Sequence, residues 1–154
     1  LSQQTGARWK NYIRADCCDL EGAARAFISN NCEAPKVRGE HIRWEPSKPD
    51  FSGFLPDGRH VVFEAKATMS STSFPLSNIA DHQRDLLDQA HQAGALSFVY
   101  ILDGTGKKWV FPWKSVRAFC DVRSSIPFSI DFYQKKRGET WLDTLDRLAA
   151  EGML

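Results

Sequence analysis

One predicted β-strand in this sequence runs from an apolar segment directly into charged residues. Val61, Val62 and Phe63 are typical of a protein core, and Glu64 and Lys66 follow them at once. Burying unpaired charges is costly, so they persist in such a strand where they pair with each other, bind a metal or take part in catalysis. This strand therefore constrains both the local fold and the position of a functional site.

A turn sequence ahead of this strand predicts a β-hairpin. Residues 56–58 read Pro-Asp-Gly, in which proline presets φ and glycine permits a positive φ. The flanking segments 50–55 and 59–67 are then expected to pair as antiparallel strands. That pairing places Asp50 beside Glu64.

The rest of the chain alternates between helical and extended patterns. Apolar spacing predicts a long amphipathic helix over residues 7–28, a helix over 78–93 and a final helix that starts after residue 140. Their predicted caps are Asn78 and Gly94 for the second helix, and a capping box of Thr140 with Asp143 for the last. Residues 96–102 predict a buried central strand, 109–113 an edge strand, 70–75 a loop, and 32–49 a loop with a possible short strand at 41–44.

This order of elements predicts one α/β domain over residues 1–154, with a mixed central β-sheet flanked by helices. The length of 154 residues, the 42% of apolar residues and the 25% of charged residues fit a globular protein. No apolar run reaches transmembrane length. The cysteines form no CxxC pair and are expected to be reduced thiols in a cytosolic protein; they are Cys17, Cys18, Cys32 and Cys120.

The formal charge of +1 argues against a wholly basic nucleic-acid-binding protein. Any binding to DNA must therefore come from a local patch of positive charge. Short basic groups occur at Lys36 with Arg38, at 107–108 and at 135–137. Taken alone, each of these groups is more typical of solvated surface than of a binding site.

Glu64 and Lys66 project from the same face of their strand because side chains alternate. Two carboxylates, Asp50 and Glu64, together with a backbone carbonyl would make an all-oxygen site suited to Mg²⁺ or Mn²⁺ rather than zinc. An adjacent lysine can orient an attacking water and stabilise charge on phosphate, so this set fits phosphodiester hydrolysis. The alternative is a solvated Glu–Lys pair with Asp50 starting a turn, and the spacing alone does not decide between the two.

A longer pattern follows the two charges. From Phe63 to Gln83 the chain reads FEAKAT, five residues, FPL, one residue, N, three residues and HQ. This run resembles the core of the RecU family of Holliday-junction resolvases, members of the PD-(D/E)xK nuclease superfamily. GALSFVYIL at 94–102 and SSIP at 124–127 also resemble segments of that family. The resemblance extends over residues 48–130.

The resemblance implies a restriction-endonuclease-like core and a homodimer that nicks four-way DNA junctions symmetrically with Mg²⁺ or Mn²⁺. Such an enzyme would act in recombination and repair, in the cytoplasm of a bacterium or a phage-infected cell. The implied metal ligands are Asp50, Glu64 and the backbone carbonyl of Ala65. Lys66 matches the catalytic lysine, and Gln83 matches a polar residue on the following helix that could hold a water or a phosphate.

The family also has an acidic residue in its first helix, for which Glu21 is the candidate here, with Asp16 behind it. Its long basic stalk has only the short segment 34–49 as a counterpart. The expected DNA contacts lie in this segment and in the hydroxyl-rich loop after the charged strand. They are Lys36, Arg38, Arg43, Thr68, Ser70, Ser71 and Thr72.

Two alternatives to junction resolution remain at the level of sequence. The short basic segment favours a related nuclease that acts on duplex DNA, since members of the superfamily share a site but not a target. A non-catalytic DNA-binding recombination accessory protein is the other, and the intact set of Asp50, Glu64 and Lys66 argues against it.

Overall fold

A five-stranded mixed sheet forms the centre of the fold. The structure is a computed structural model, and it describes residues 3–31, 37–38, 41–42 and 48–154. The helices are α1 (Gln3–Gly22), α2 (Asp81–Gln92), α3 (Trp113–Cys120) and α4 (Trp141–Ala150). The strands are β1 (Phe27–Asn30), β2 (Val37–Arg38), β3 (His41–Ile42), β4 (Phe51–Phe54), β5 (His60–Ala67), β6 (Ser73–Pro75), β7 (Leu96–Leu102), β8 (Lys108–Pro112) and β9 (Ser125–Pro127).

The main sheet has the strand order β1-β4-β5-β7-β8. Its strands β5 and β7 are parallel and joined through α2, whereas the other neighbouring pairs are antiparallel. The predicted mixed α/β sheet is therefore confirmed. β7 is paired on both sides and buried, as predicted, and β8 is an edge strand that ends at Pro112.

The predicted hairpin forms between β4 and β5, with Phe51 opposite Phe63. Its turn places Gly58 at φ +87°, a conformation that favours glycine. β4 begins at Phe51, whereas β5 continues past Phe63 to Ala67. The end of β5 therefore has no partner strand on the β4 side, which leaves space there for other groups.

One face of the sheet carries an aromatic core. The Phe63 ring lies 4.4 Å from that of Phe98 and 5.5 Å from that of Trp141 on α4, measured between centroids. Trp9 of α1 reaches the same face, where its indole N–H donates to the Tyr100 carbonyl at 3.3 Å. Because side chains alternate along β5, the residues next to Phe63 point to the opposite face, where α2 packs.

The first helix is shorter than predicted. α1 ends at Gly22, after which Ala24 takes the left-handed φ of +54° and the Arg25 N–H closes the end by donating to the Leu20 carbonyl at 2.9 Å. Residues 27–30 form β1 on the edge of the sheet. The prediction of a helix to residue 28 is wrong because pairing with β4 overrides a helical spacing of apolar residues that continues past the helix end.

The start of the second helix also differs from the prediction. Asn78 ends a short 3₁₀ helix, and α2 begins at Asp81, so Asn78 does not cap it. The first free N–H, from Ala80, donates instead to the Gln83 side chain at 3.1 Å. Gly94 follows α2 with φ +85°, which confirms the predicted C-terminal stop.

Further along the chain, α3 was not predicted, and residues 73–75 of the expected loop form β6, which pairs with β9. The predicted capping box of α4 is confirmed. The Thr140 hydroxyl accepts from the Asp143 N–H at 3.2 Å, and the Thr140 N–H donates to the Asp143 carboxylate at 2.7 Å.

Some predictions fall outside the described residues. Of the possible strand at 41–44, residues 41–42 form β3, paired with β2, and the remainder is outside them, as is Cys32. The other cysteines, Cys17, Cys18 and Cys120, are free thiols, as predicted. Within the described ranges, none of the helices combines the length and the apolar character that crossing a membrane requires.

The backbones of β1 and β4 approach each other closely at Gly53. A Cβ at this position would lie 1.9 Å from the Phe27 carbonyl oxygen, so Gly53→Ala must push the two backbones apart. We expect the free energy of unfolding, measured by urea denaturation, to fall by about 1–3 kcal/mol. Gly6→Ala in α1 is the control, because its Cβ would meet nothing within 4 Å, and it should stabilise the helix slightly. Equal stability of the Gly53→Ala variant and the wild type would contradict this account.

Candidate active site

Three elements bring the predicted site residues together: the start of β4, the end of β5 and the first turn of α2. Lys66 donates to Gln83 Oε1 at 2.7 Å, and Gln83 Nε2 donates to Glu64 Oε2 at 2.9 Å. The same Gln83 oxygen accepts the Ala80 N–H at the start of α2. One glutamine thus links both strand charges to the helix that packs on them.

Asp50 lies immediately before the start of β4, in the space that this short strand leaves open beside the end of β5. Its Oδ2 accepts the Ala65 N–H at 3.0 Å, a hydrogen bond that a longer β4 would otherwise make. The N–H and C=O of one residue in an extended strand point to the same side, so the Ala65 carbonyl also faces this space. The backbone of Ala65 and the carboxylate of Asp50 therefore border the same space.

Burial sets the electrostatics of the site. Glu64 is only 1% exposed, and this burial, followed by the charge of Asp50, raises the pKa of Glu64 to about 8, although Lys66 opposes the shift. Burial also lowers the pKa of Lys66, while the charges of Glu64 and Asp50 act in the other direction. Both side chains are thus closer to exchanging protons near neutral pH than exposed groups would be.

The donor set fits a hard divalent cation. Glu64 Oε1 is buried and accepts a hydrogen bond from no described donor. The Asp50 carboxylate beside it can share a proton with Glu64, but once both are ionised this oxygen is destabilising unless a cation binds there. With Asp50 and the Ala65 carbonyl it would give an all-oxygen ligand set, leaving the remaining positions to water, as Mg²⁺ prefers. Across the described ranges, no three His, Cys, Asp or Glu residues cluster as a metal site, so this ligand set would contain two carboxylates.

Glu21 is not brought into this group. It is exposed at the end of α1, and the α1 residue that reaches the site is Lys10, eleven positions earlier, or about 16 Å along the helix axis. Asp16 also lies elsewhere, since its carboxylate accepts the Trp141 N–H at 3.4 Å beside the aromatic core. Neither of the two first-helix acids proposed from the sequence therefore reaches the site, and the side chain of Lys10 lies beside Asp50 instead.

Lys10 is the site residue that sequence reasoning missed. It forms an ion pair with Asp50 Oδ1, and the two side chains are 31% and 19% exposed. Its signal in the sequence is weak, because a lysine beside buried Trp9 on an amphipathic helix is typical of a solvated flank. Its charge competes with any metal ion for the Asp50 carboxylate.

The hydroxyl-rich loop divides into structural and exposed members. Thr68 is buried, and its Oγ1 accepts the Ser70 N–H at 3.2 Å. The Ser70 hydroxyl in turn accepts the N–H groups of Thr72 and Ser73, at 3.3 and 3.2 Å. Thr68 and Ser70 therefore shape the loop, and the predicted contact of buried Thr68 with DNA is not supported. Ser71 and Thr72 are exposed and accessible to a ligand.

The basic segment before β4 cannot be assessed in the same way. Lys36 and Arg43 lie outside the described residues, and of Arg38 the structure describes only its backbone in β2.

Comparison with known proteins identifies the family. The chain matches the model of the RecU family, recombination protein U, over residues 29–137, and it belongs to that family. The Holliday junction resolvase RecU of Staphylococcus aureus strain JH9 is 36% identical over 113 residues, covering 70% of this chain and 54% of the relative. The RecU of strain MRSA252 is 43% identical over 94 residues, covering 58% and 45%. The chain thus spans about half the length of the curated relatives it matches.

A solved structure shares the fold. Hjc of Archaeoglobus fulgidus, a Holliday junction resolvase from an archaeal hyperthermophile, superposes with a TM-score of 0.52 over 89% of this chain and 95% of its own. At 12% sequence identity this likeness concerns the fold alone. It agrees with the predicted restriction-endonuclease-like core.

The raised pKa of Glu64 predicts a pH-dependent affinity for metal. Below about pH 8 the Glu64 proton must leave before a cation binds, so the affinity for Mg²⁺ should fall about tenfold for each pH unit. Isothermal titration calorimetry from about pH 6 to about pH 9 would measure this slope. Glu64→Gln is the control and should lose both the binding and the slope. An affinity that stays constant below pH 8 would argue against Glu64 as a ligand.

Lys10 gives a second prediction for metal binding. Lys10→Met keeps the aliphatic length of the side chain and removes the charge that occupies Asp50, so the affinity for Mg²⁺ should rise about tenfold. Arg14→Met, one turn further along the exposed side of α1, is the matched control and should leave the affinity unchanged. Weaker binding by Lys10→Met in calorimetry would mean that Lys10 supports the site rather than competing for it.

Proposed function

We propose that this protein is a divalent-metal-dependent DNA endonuclease that resolves four-way junctions by paired nicks, with Mg²⁺ or Mn²⁺ as cofactor. The observation that carries the proposal is the hydrogen-bonded group of Glu64, Gln83 and Lys66 beside Asp50, with one buried Glu64 oxygen left without a partner. Membership of the RecU family and the names of its relatives support the junction as substrate.

Asp50, Glu64 and the Ala65 carbonyl would hold the metal. A divalent cation bound there supplies positive charge to the oxygens of the scissile phosphate. Glu64 must be ionised for this role, and the nearby ammonium of Lys66 favours its ionised form. The burial of Glu64 keeps competing water away from the ligand oxygens.

Lys66 is proposed as the residue that handles the attacking water. Gln83 holds its Nζ at 2.7 Å, which fixes where the amine points without neutralising it. Because burial lowers the pKa of Lys66, a larger fraction of its amine is neutral near neutral pH than for an exposed lysine. The neutral amine can orient a water and take a proton from it at Nζ, and the ammonium formed in this way stabilises the charge that develops on the phosphate.

Gln83 is proposed as a positioning residue. Its two amide atoms hold Glu64 and Lys66 at 2.9 and 2.7 Å, so both groups keep one orientation before the substrate arrives. A site fixed in this way loses less entropy in the transition state than one with free side chains. Ser71 and Thr72, exposed on the loop after β5, are proposed to contact the backbone phosphates of the DNA.

The protein is proposed to act as a homodimer. Each chain contributes one group of Asp50, Glu64 and Lys66, enough to cut one strand, whereas resolving a junction needs two symmetric cuts. A two-fold dimer on a two-fold junction would place one site on each of two strands. The distance between the paired sites would then set the spacing of the cuts.

The test is a cleavage assay with Lys66→Met. Wild-type protein is incubated with a synthetic four-way junction and with a matched linear duplex, each with Mg²⁺, Mn²⁺ or EDTA, and the products are read on a denaturing gel. We expect paired, symmetric nicks in the junction with metal and none with EDTA. Lys66→Met should cut roughly a hundredfold more slowly or worse, because the group that orients and deprotonates the water is missing.

Lys114→Met at the start of α3 is the matched control and should cut like the wild type. Junction binding by Lys66→Met, measured in EDTA, should stay close to that of the wild type. Full cleavage by Lys66→Met would refute the mechanism, and equal cutting of linear duplex would point to a nuclease without junction selectivity.

A further inference from the structure

The structure joins two short basic groups that the sequence separates. Lys107 and Lys108 lie at the start of β8, and residues 135–137, Lys-Lys-Arg, lie on the loop before α4. The Lys135 N–H donates to the Lys108 carbonyl at 2.8 Å, and the next residues continue the contact as a bridge between Trp109 and Gln134. The two groups are thus fixed side by side by backbone hydrogen bonds.

Tyr12 of α1 forms the centre of this surface. Lys108 Nζ lies 4.5 Å from the centroid of its ring and Lys135 Nζ lies 5.9 Å from it. Lys135 also donates to the Tyr12 hydroxyl at 3.3 Å. The ring is 38% exposed, so two ammonium groups share one accessible aromatic side chain. We name this surface, made of Tyr12, Lys107, Lys108, Lys135, Lys136 and Arg137, the Tyr12 basic surface.

The five cations of the Tyr12 basic surface carry a positive charge that their surroundings compensate only in part. They line an open cleft with a volume of about 310 Å³, and none of the described residues that line it with them is acidic. Within the described ranges, none of the salt bridges uses any of the five. Two acids lie beside it: Glu139 pairs with Arg147 and accepts the Lys136 backbone N–H, and Asp16 accepts the Trp141 backbone N–H while its charge interacts with that of Lys135.

This surface lies at the same end of the strands as the candidate active site, namely the end at which β5 and β7 finish and β8 begins. Ala67, next to Lys66, pairs with Leu102, and Leu102 pairs with Lys108. Two strand spacings separate Ala67 from Lys108, which is about 10 Å. Lys108 points to the opposite face from Lys66 because it shares the face of Ala67. A ligand that lies across this end of the sheet can therefore contact both the candidate active site and the Tyr12 basic surface.

We infer that the Tyr12 basic surface binds the phosphate backbone of the DNA on the same side of the fold as the cleaved bond. This inference rests on the proposed function, and it adds a second contact site to it. Phosphates are the ligands that clustered lysine and arginine bind without regard to sequence. The contact would hold a junction arm in place while the active site selects the bond.

The experiment compares two double variants that each remove one lysine and one arginine. Lys136→Ala with Arg137→Ala removes two exposed cations of the Tyr12 basic surface and keeps the pair that packs on Tyr12. The control is Arg59→Ala with Lys114→Ala. These two residues lie together at the opposite end of the strands, beside the start of β7. Circular dichroism and thermal unfolding verify that both variants fold like the wild type.

Binding to a labelled four-way junction is measured by fluorescence anisotropy in EDTA over a series of salt concentrations. Loss of two phosphate contacts should lower the affinity at roughly 0.1 M salt at least about tenfold and reduce the slope of log K against log salt by about 1.8. The control should stay within about twofold of the wild type, with an unchanged slope.

Equal affinities and slopes for the two double variants would overturn the inference, and the surface would then serve another partner, such as an acidic protein. That result leaves the proposed function intact, provided that the wild type binds and cuts the junction. A wild type that neither binds nor cuts junctions would instead remove the proposed function, and this inference with it.

Discussion

Glu64 is almost fully buried at the end of a central strand, and the rest of the site is arranged around that one carboxylate. Gln83 donates to one of its oxygens, Lys66 supplies an opposing charge, and Asp50 adds a second carboxylate beside it. A buried carboxylate with an oxygen left over is destabilising unless a cation meets it. The aromatic stack around Phe63 on the other face of the sheet provides the rigid core that tolerates this cost. The core on one face of the sheet and the candidate site on the other thus depend on the alternation of side chains along a single strand, β5.

The hairpin and the central group could be predicted because both depend on local rules. A Pro-Asp-Gly turn fixes the register of β4 and β5, and strand alternation then places Glu64 and Lys66 on one face next to Asp50. Lys10 could not be predicted, because it reaches Asp50 through the packing angle of α1, which no local pattern encodes. The absence of Glu21 from the site follows from that same angle, since the wrong turn of the helix faces the hairpin.

The helix and strand boundaries that the sequence did not predict correctly share one cause, which is tertiary contact. Residues 27–30 continue the apolar spacing of α1, yet they are extended because an edge of the sheet was open beside β4. α3 follows Pro112 without a polar capping residue, so no capping pattern in the sequence predicts where this helix begins. The two basic groups at 107–108 and 135–137 looked like separate solvated surface because the pairing of Trp109 with Gln134 joins them only in the fold.

Ala65 combines two unrelated requirements in one residue. Its carbonyl borders the active site, whereas its methyl group is buried on the other face, where the residue pairs with Tyr100. A backbone ligand cannot be deleted by point mutation, since every amino acid supplies the same carbonyl. Selection at this position would therefore act on the size of the side chain that fits beside Tyr100, and the variation tolerated there would report on core packing even though the carbonyl borders the candidate active site.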